Sequence, residues 1–214
     1  MINTSEYTNE ELCKYFNKGL ILDLGSGKGS RSLFLQSKGL KTIAFDINQS
    51  SLDLYNNKIK TVCGDMNNGL PFESGTFNGV LCTEVLEHTS TPDKVISEIS
   101  RVLKEDGTFI ITTPCLNIPI FRSILTKIYR QSLNRKCSYK QHKQIFTTKN
   151  LCDLLQTHFL VTDIEYTRFT TQFQIHFGFG VRLNTILQKL AKNNIFLLYF
   201  AQGNIIVCKK GDKS

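Results

Sequence analysis

Three sets of residues have types and spacings that could do chemistry. Gly25, Gly27 and Gly29 occupy alternate positions directly after the run Leu20–Leu24, which is apolar apart from Asp23. Glycine lets the main chain approach a ligand closely, and a helix opening at such a turn offers free N–H groups to an anion. Asp46 lies roughly 20 residues further on, where an acidic residue can take both hydroxyls of a ribose; capping the next helix is the lesser reading. Glu84, Glu87 and His88 stand at i, i+3 and i+4, so a helical turn there would bring two carboxylates and an imidazole onto one face. The glycine spacing separates the ligand classes. A phosphate-binding P-loop requires a glycine where Leu22 stands and Ser or Thr where Gly29 stands, and the dinucleotide fingerprint requires its last glycine where Ser30 stands.

The elements that must position these residues follow from hydrophobic periodicity. Strands are expected at Leu20–Leu24, Lys41–Phe45, Lys60–Cys63, Asn78–Thr83 and Thr108–Thr113, with helices at Ser30–Lys38, Ile47–Asn57 and Pro92–Lys104 between them. Five strand–helix alternations predict a parallel sheet with helices on both faces, and ligands bind at the carboxyl ends of such strands. That rim collects Gly25–Gly29, Asp46, Asp65–Met66 and Cys82–His88. Residues 1–19 read as a short amphipathic helix stopped by Gly19. Toward the end, Thr147 or Thr148 caps a helix Leu151–Thr157, Phe159–Tyr166 is a sixth strand, and Asn204–Lys209 is a seventh, its antiparallel partner.

The pattern Asp23-x-Gly25-x-Gly27-x-Gly29 resembles the first motif of class I S-adenosylmethionine-dependent methyltransferases, of the small-molecule, "methyltransferase type 11" kind. Leu-Pro-Phe-Glu-Ser-Gly-Thr-Phe-Asn (70–78), Glu-Val-Leu-Glu-His (84–88), Arg-Val-Leu-Lys-Glu-Asp-Gly-Thr (101–108) and Ile-Thr-Thr-Pro (111–114) resemble the same superfamily. The resemblance is dense over about residues 18–114 and only in outline beyond. It implies an α/β, Rossmann-like fold of seven mostly parallel strands with the last antiparallel, in one domain spanning 1–214. It also implies S-adenosylmethionine as cofactor. Asp23 and the turn Gly25, Ser26, Gly27, Gly29 would hold the methionine end, and Asp46 with Ile47 the ribose side. Asp65 and Met66 would hold the adenine, with Cys82 and Thr83 alongside. Asp65 also suits a plain turn after Gly64.

His88 and His142 are the candidate general bases, since an unperturbed imidazole titrates near neutral pH. Glu84, Glu87, His88 and His142 could together bind a divalent cation. Glu-x-x-Glu-His also occurs in the metal-dependent small-RNA 2′-O-methyltransferases and in the ubiquinone-pathway catechol O-methyltransferases. The other reading is that Glu87 and His88 cap the turn and orient the acceptor without metal, and no metal is expected. His158 and His176 have no motif around them.

The chain of 214 residues carries a net charge of +8, unevenly spread: residues 1–106 hold 11 Lys and Arg against 14 acids, residues 107–214 hold 15 against 4. Such asymmetry suits an anionic partner for the basic half, or a merely solvated surface. Residues 115–147 and 167–200 combine basic residues with apolar stripes (Ile118, Phe121, Ile124, Leu125, Ile128; Phe169, Phe173, Leu183, Ile186, Leu187) and read as acceptor-side insertions or a lid. Basic charge beside apolar surface suits a small or lipid-linked anionic acceptor, or an anionic membrane surface. No arginine-rich run or RNA-binding module appears, so nucleic acid is not the expected partner. Seven cysteines without a Cys-x-x-Cys pair argue for a reducing compartment, with Cys63 and Cys82 as small core residues. With neither a signal-peptide pattern nor a spanning run, a cytoplasmic protein is expected, peripheral to a membrane at most. The expected activity is methyl transfer to oxygen or nitrogen; the alternatives are a catalytically silent methyltransferase-fold partner or a metal-dependent RNA or catechol methyltransferase.

Overall fold

Four consecutive buried positions in Leu20–Leu24 can only sit in the middle of a sheet, and that strand is central in the computed structural model, which describes residues 8–115, 143–167 and 203–211. The described strands are β1 Leu20–Leu24, β2 Lys41–Asp46, β3 Lys60–Cys63, β4 Phe77–Thr83, β5 Leu103–Pro114, β6 Leu160–Thr167 and β7 Gly203–Lys209. They form one seven-stranded sheet in the order β3-β2-β1-β4-β5-β7-β6. The pairs from β3 to β5 are parallel, and β7 runs antiparallel between β5 and β6. The order reverses between β1 and β4, which opens a crevice above their carboxyl ends.

The two faces of the sheet bury different sets. Leu22 and Leu24 of β1 join Phe77, Val80 and Phe109 on one face, while Ile21 joins Leu12, Leu35 and Ile110 on the other. This is the period-2 alternation of a strand covered on both sides. The described helices are α1 Asn9–Cys13, α2 Ser30–Ser37, α3 Gln49–Leu52, α4 Pro92–Val102 and α5 Thr148–Leu155. Pro92, Val95, Ile96, Ile99 and Val102 of α4 are all buried, and each side chain contributes roughly 1.5–3 kcal/mol relative to exposure. Capping boxes start α1 at Thr8 with Glu11 and α5 at Thr147 with Asn150.

Several element boundaries differ from expectation for identifiable reasons. The helix expected over Pro92–Lys104 stops at Val102, because Leu103 is already extended (φ −79, ψ 137) and pairs with Phe77. Strand β5 therefore begins five residues before Thr108, and it absorbs the excess with Asp106 in the left-handed region (φ 60) and a register shift between Phe77 and Gly79. The helix expected over Ile47–Asn57 shrinks to α3. Asn48 caps it by accepting from Ser51 N–H, and 66% exposure of Leu54 breaks the apolar stripe. The N-terminal helix ends at Cys13, well before Gly19. Cys63 is exposed rather than in the core, since it ends β3 at the rim; Cys82 is fully buried. The proposed insertions at 115–147 and 167–200, with His142 and His176, lie largely or wholly outside the described residues. No described helix is long and apolar enough to cross a membrane.

Arg101 explains why two of the quoted sequence blocks occur together. Its guanidinium donates to Phe72 O (2.8 Å), Leu70 O (2.9 Å) and both oxygens of Glu98, and Glu98 accepts from Leu70 N–H. The loop 70–78 is thereby stitched to α4. The arginine holds the Glu98 carboxyl down at about 2.

Candidate functional site

The turn after β1 is built around left-handed glycines. Gly25, Gly27 and Gly29 have φ of 75, 51 and 75, a region L side chains rarely adopt. The neighbours of two of them leave no room: a Cβ on Gly25 would lie 2.3 Å from Val85, and one on Gly29 would lie 2.5 Å from the Tyr55 ring. A Cβ on Gly27 would meet nothing within 4 Å. The turn is thus packed at its two ends and open at its middle. Tyr55 also ties it down through its hydroxyl, which donates to Gly27 O (3.2 Å) and shares a hydrogen bond with Ser26 Oγ (2.7 Å).

Asp46 ends β2 opposite the open glycine. Its Oδ2 accepts from Gly27 N–H and its Oδ1 from Asn48 N–H, both at 2.8 Å. An ionised carboxylate offers about four lone-pair sites, so two remain for donors from a ligand. It is Asn48, not Asp46, that caps α3. Ile47 beside it is 66% exposed, an apolar side chain at the rim. Asp23 is 1% exposed and faces inward, where its carboxylate accepts from the Ser32 hydroxyl beneath the turn. Burial raises its carboxyl to about 6, against the lowering effect of Ser32 and Arg31.

Asp65 caps the 3-10 turn Met66–Asn68 by accepting from Asn67 N–H (2.9 Å) and Asn67 Nδ2 (2.8 Å), which lowers its pKa. The carbonyl of the same Asn67 side chain accepts from Thr89 Oγ1, Ser90 N–H and Thr91 Oγ1. The β3 loop is thereby clasped to the loop that follows His88. Neither Tyr55 nor Asn67 is prominent in the sequence, because their roles depend on contacts 28 and 22 residues away.

At the end of β4 the one-face arrangement of Glu84, Glu87 and His88 does not form. Glu84 has φ 56 and lies outside the 3-10 turn Leu86–His88. Its N–H donates to Thr112 O, and its Oε1 accepts from Thr112 Oγ1 at 3.2 Å. Glu87 turns inward, accepting from Thr113 Oγ1 at 2.8 Å. Burial, then the neighbouring Glu87, raises Glu84 to about 8; burial also raises Glu87. His88 is half-buried, and the Glu87 carbonyl accepts from Lys143 and Gln144 N–H. Among the described residues no group of three or more His, Cys, Asp and Glu is placed to hold a metal ion. Cys82 and Thr83 are buried beneath this rim, and Met66 packs against the core.

A strand, an open left-handed glycine turn and an acid at the end of the next strand form one unit, and residues 22–111 match the family model described as a methyltransferase domain. That matched stretch is a methyltransferase domain, similar to those of the class I methyltransferase superfamily. The cofactor of that superfamily is S-adenosylmethionine. The chain is 26% identical over 175 residues to a sarcosine/dimethylglycine N-methyltransferase of Aphanothece halophytica, covering 73% of this chain and 61% of that one. It is 30% identical over 97 residues to the demethylmenaquinone methyltransferase of Clavibacter sepedonicus, covering 42% and 39%. The aligned parts span less than two thirds of the length of these curated relatives. In fold it matches a SAM-dependent methyltransferase from Archaeoglobus fulgidus with a TM-score of 0.67 over 94% of this chain and 92% of that chain, at 18% identity.

The residues present fit the cofactor. The middle of the turn, at Gly27, is free for an approaching ligand, and Asp46 keeps acceptor capacity beside it.

Proposed function

We propose that this chain transfers a methyl group from S-adenosylmethionine to an oxygen or nitrogen of a small or lipid-linked acceptor that carries an anionic group. The observation that carries the reading is the open Gly27 position facing the Asp46 carboxylate, a cradle for a nucleoside. Once bound, S-adenosylmethionine supplies a methyl group already activated on its sulfonium, so the protein contributes alignment and a proton acceptor. Asp46 accepts from the ribose hydroxyls, Ile47 covers that side, and Asp65 with Met66 holds the adenine. Gly25, Ser26, Gly27 and Gly29, with Asp23 beneath them, shape the methionine side, and Cys82 and Thr83 line its floor. His88 takes the proton of the acceptor, with His142 as its alternative.

Residues 115–147 and 167–200 supply the acceptor side, where the basic half meets an anionic group. The two curated relatives are named for acceptors as different as a small amine and a quinone precursor, so charge distribution is the better guide to this chain's acceptor. A catalytically silent partner protein would have no use for the open glycine turn. Two measurements test the reading. Saturating S-adenosylmethionine at about 100 times its dissociation constant stabilises the fold by roughly 2.7 kcal/mol in a thermal shift; no shift refutes it. Anionic liposomes sediment the protein at low salt and release it at high salt if the acceptor is lipid-linked. A protein that stays in the supernatant at low salt has a soluble acceptor.

A further inference from the structure

We propose that Asn67 is a positioning residue for both ends of the transfer, aiming Asp65 at the cofactor's base and holding the turn that carries His88; the assignment rests on the S-adenosylmethionine reading above. Asn67 lies in the 3-10 turn Met66–Asn68. Its main-chain N–H and its Nδ2 reach the same oxygen of Asp65, Oδ1, at 2.9 and 2.8 Å. The carboxylate is held from two directions, and Oδ2 is the oxygen left to offer a ligand. The other end of the side chain faces the residues that follow His88. Asn67 Oδ1 accepts from Thr89 Oγ1 at 2.8 Å, Ser90 N–H at 3.1 Å, Thr91 Oγ1 at 3.2 Å and Ser90 Oγ at 3.3 Å. A carboxylate only accepts and a main-chain N–H only donates, so the amide serves both sides in one orientation alone. Thr91 is the N-cap of α4, where its hydroxyl would ordinarily take a helix N–H; here it makes no such bond and donates to Asn67 instead. Thr89 is 2% exposed and its N–H donates to Leu86 O, so the clasp reaches the turn Leu86–His88 directly. One amide thus joins the loop after β3 to the loop after β4, strands that the sheet order separates by two others.

The test uses the full chain and two ligands, S-adenosylhomocysteine and its analogue with hydrogen in place of the 6-amino group. In calorimetric titration the parent should prefer the amino compound by at least about tenfold, since the analogue leaves Asp65 without its donor. Asn67→Asp keeps an acceptor for Thr89, Ser90 and Thr91 but sets a second carboxylate against Asp65. It is expected to lose the preference while the His88 ring signal, followed by NMR with labelled histidine, stays where it is in the parent. Asn67→Ala releases both ends and is expected to lose the preference and to move the His88 signal. If Asn67→Asp retains the preference, whether both ligands weaken alike or neither does, Asn67 only supports its own loop and the proposal is overturned. An unmoved His88 signal in Asn67→Ala overturns it as well. If neither variant folds, Thr91→Val decides, because this exposed residue gives α4 no side-chain cap to lose. There the His88 signal should move with the preference kept, and an unmoved signal overturns the proposal. A parent that binds both ligands equally leaves the cofactor reading standing and removes only the role of Asn67. A parent that binds neither removes both.

Discussion

The two halves of the rim solve opposite problems. On the β2–β3 side, Asp46 and Asp65 are half-exposed and already accept from the main chain, Asp46 from Gly27 and Asn48, Asp65 from Asn67. On the β4–β5 side, Glu84 and Glu87 are withdrawn from water, raised in pKa and tied to Thr112 and Thr113, and Glu84 sits in a left-handed conformation that costs a non-glycine residue about 1 kcal/mol or more. The first side is preorganised to receive hydroxyl and amine donors. The second shifts two buried carboxyls toward their neutral forms, which lessens the cost of buried charge. The difference teaches that one rim can keep the same residue type in contrary electrostatic settings, separated by a single strand, β1.

The contrast can be broken most severely inside the glycine turn. Gly29→Ala puts a Cβ into the Tyr55 ring and a side chain at φ 75, and is expected to cost about 2–4 kcal/mol of stability, read from denaturant unfolding. Gly27→Ala meets nothing in the protein and should cost only about 1 kcal/mol for its left-handed backbone, yet it should lower cofactor affinity at least tenfold. If the two variants lose stability equally, the distinction between a packed end and an open middle fails. Next in size is Arg101→Ala, which strands the carbonyls of Leu70 and Phe72 and should cost about 2 kcal/mol in the same unfolding experiment, with cofactor affinity little changed.

A pH series sharpens the other side of the comparison. The Glu84 carboxyl, ordinarily near 4.5, is raised to about 8 in the folded chain. Between those values the folded state keeps a proton that the unfolded chain has released. Its contribution to stability is therefore complete below pH 4.5 and is lost as pH rises through about 8. The parent should lose melting temperature over that window more steeply than Glu84→Gln. Parallel curves would mean that Glu84 is ionised in the fold. The smallest effect is expected for Tyr55→Phe, which keeps the packing on Gly29 and removes two hydrogen bonds to the turn. Stability should fall by about 1 kcal/mol and cofactor affinity by a few-fold, by thermal shift and titration.

The sheet and the first half of the site were legible because they are written in short-range pattern. Leu20–Leu24 with its glycines, and Lys41 to Asp46, need only alternation and turn chemistry to be read. What escaped reading depends on tertiary contacts. Nothing local announces that the chain at Leu103 leaves the helix to pair with Phe77, or that Glu84 turns left-handed to donate its N–H to Thr112. Regular helical spacing at Glu84, Glu87 and His88 therefore predicted a shared face that the backbone does not make. Tyr55 and Asn67 escape a reading of the sequence for the same reason: each acts on a segment distant in sequence, and neither belongs to a motif.

The central claim is that Asp46 and the open glycine turn form the cofactor's nucleoside site. Calorimetric titration of S-adenosylhomocysteine into the parent and into Asp46→Ala tests it most directly, because loss of the carboxylate leaves both ribose hydroxyls unpaired in the site. The account predicts an affinity at least tenfold lower in the variant, with the fold intact by circular dichroism. Equal affinity in the two proteins would contradict it.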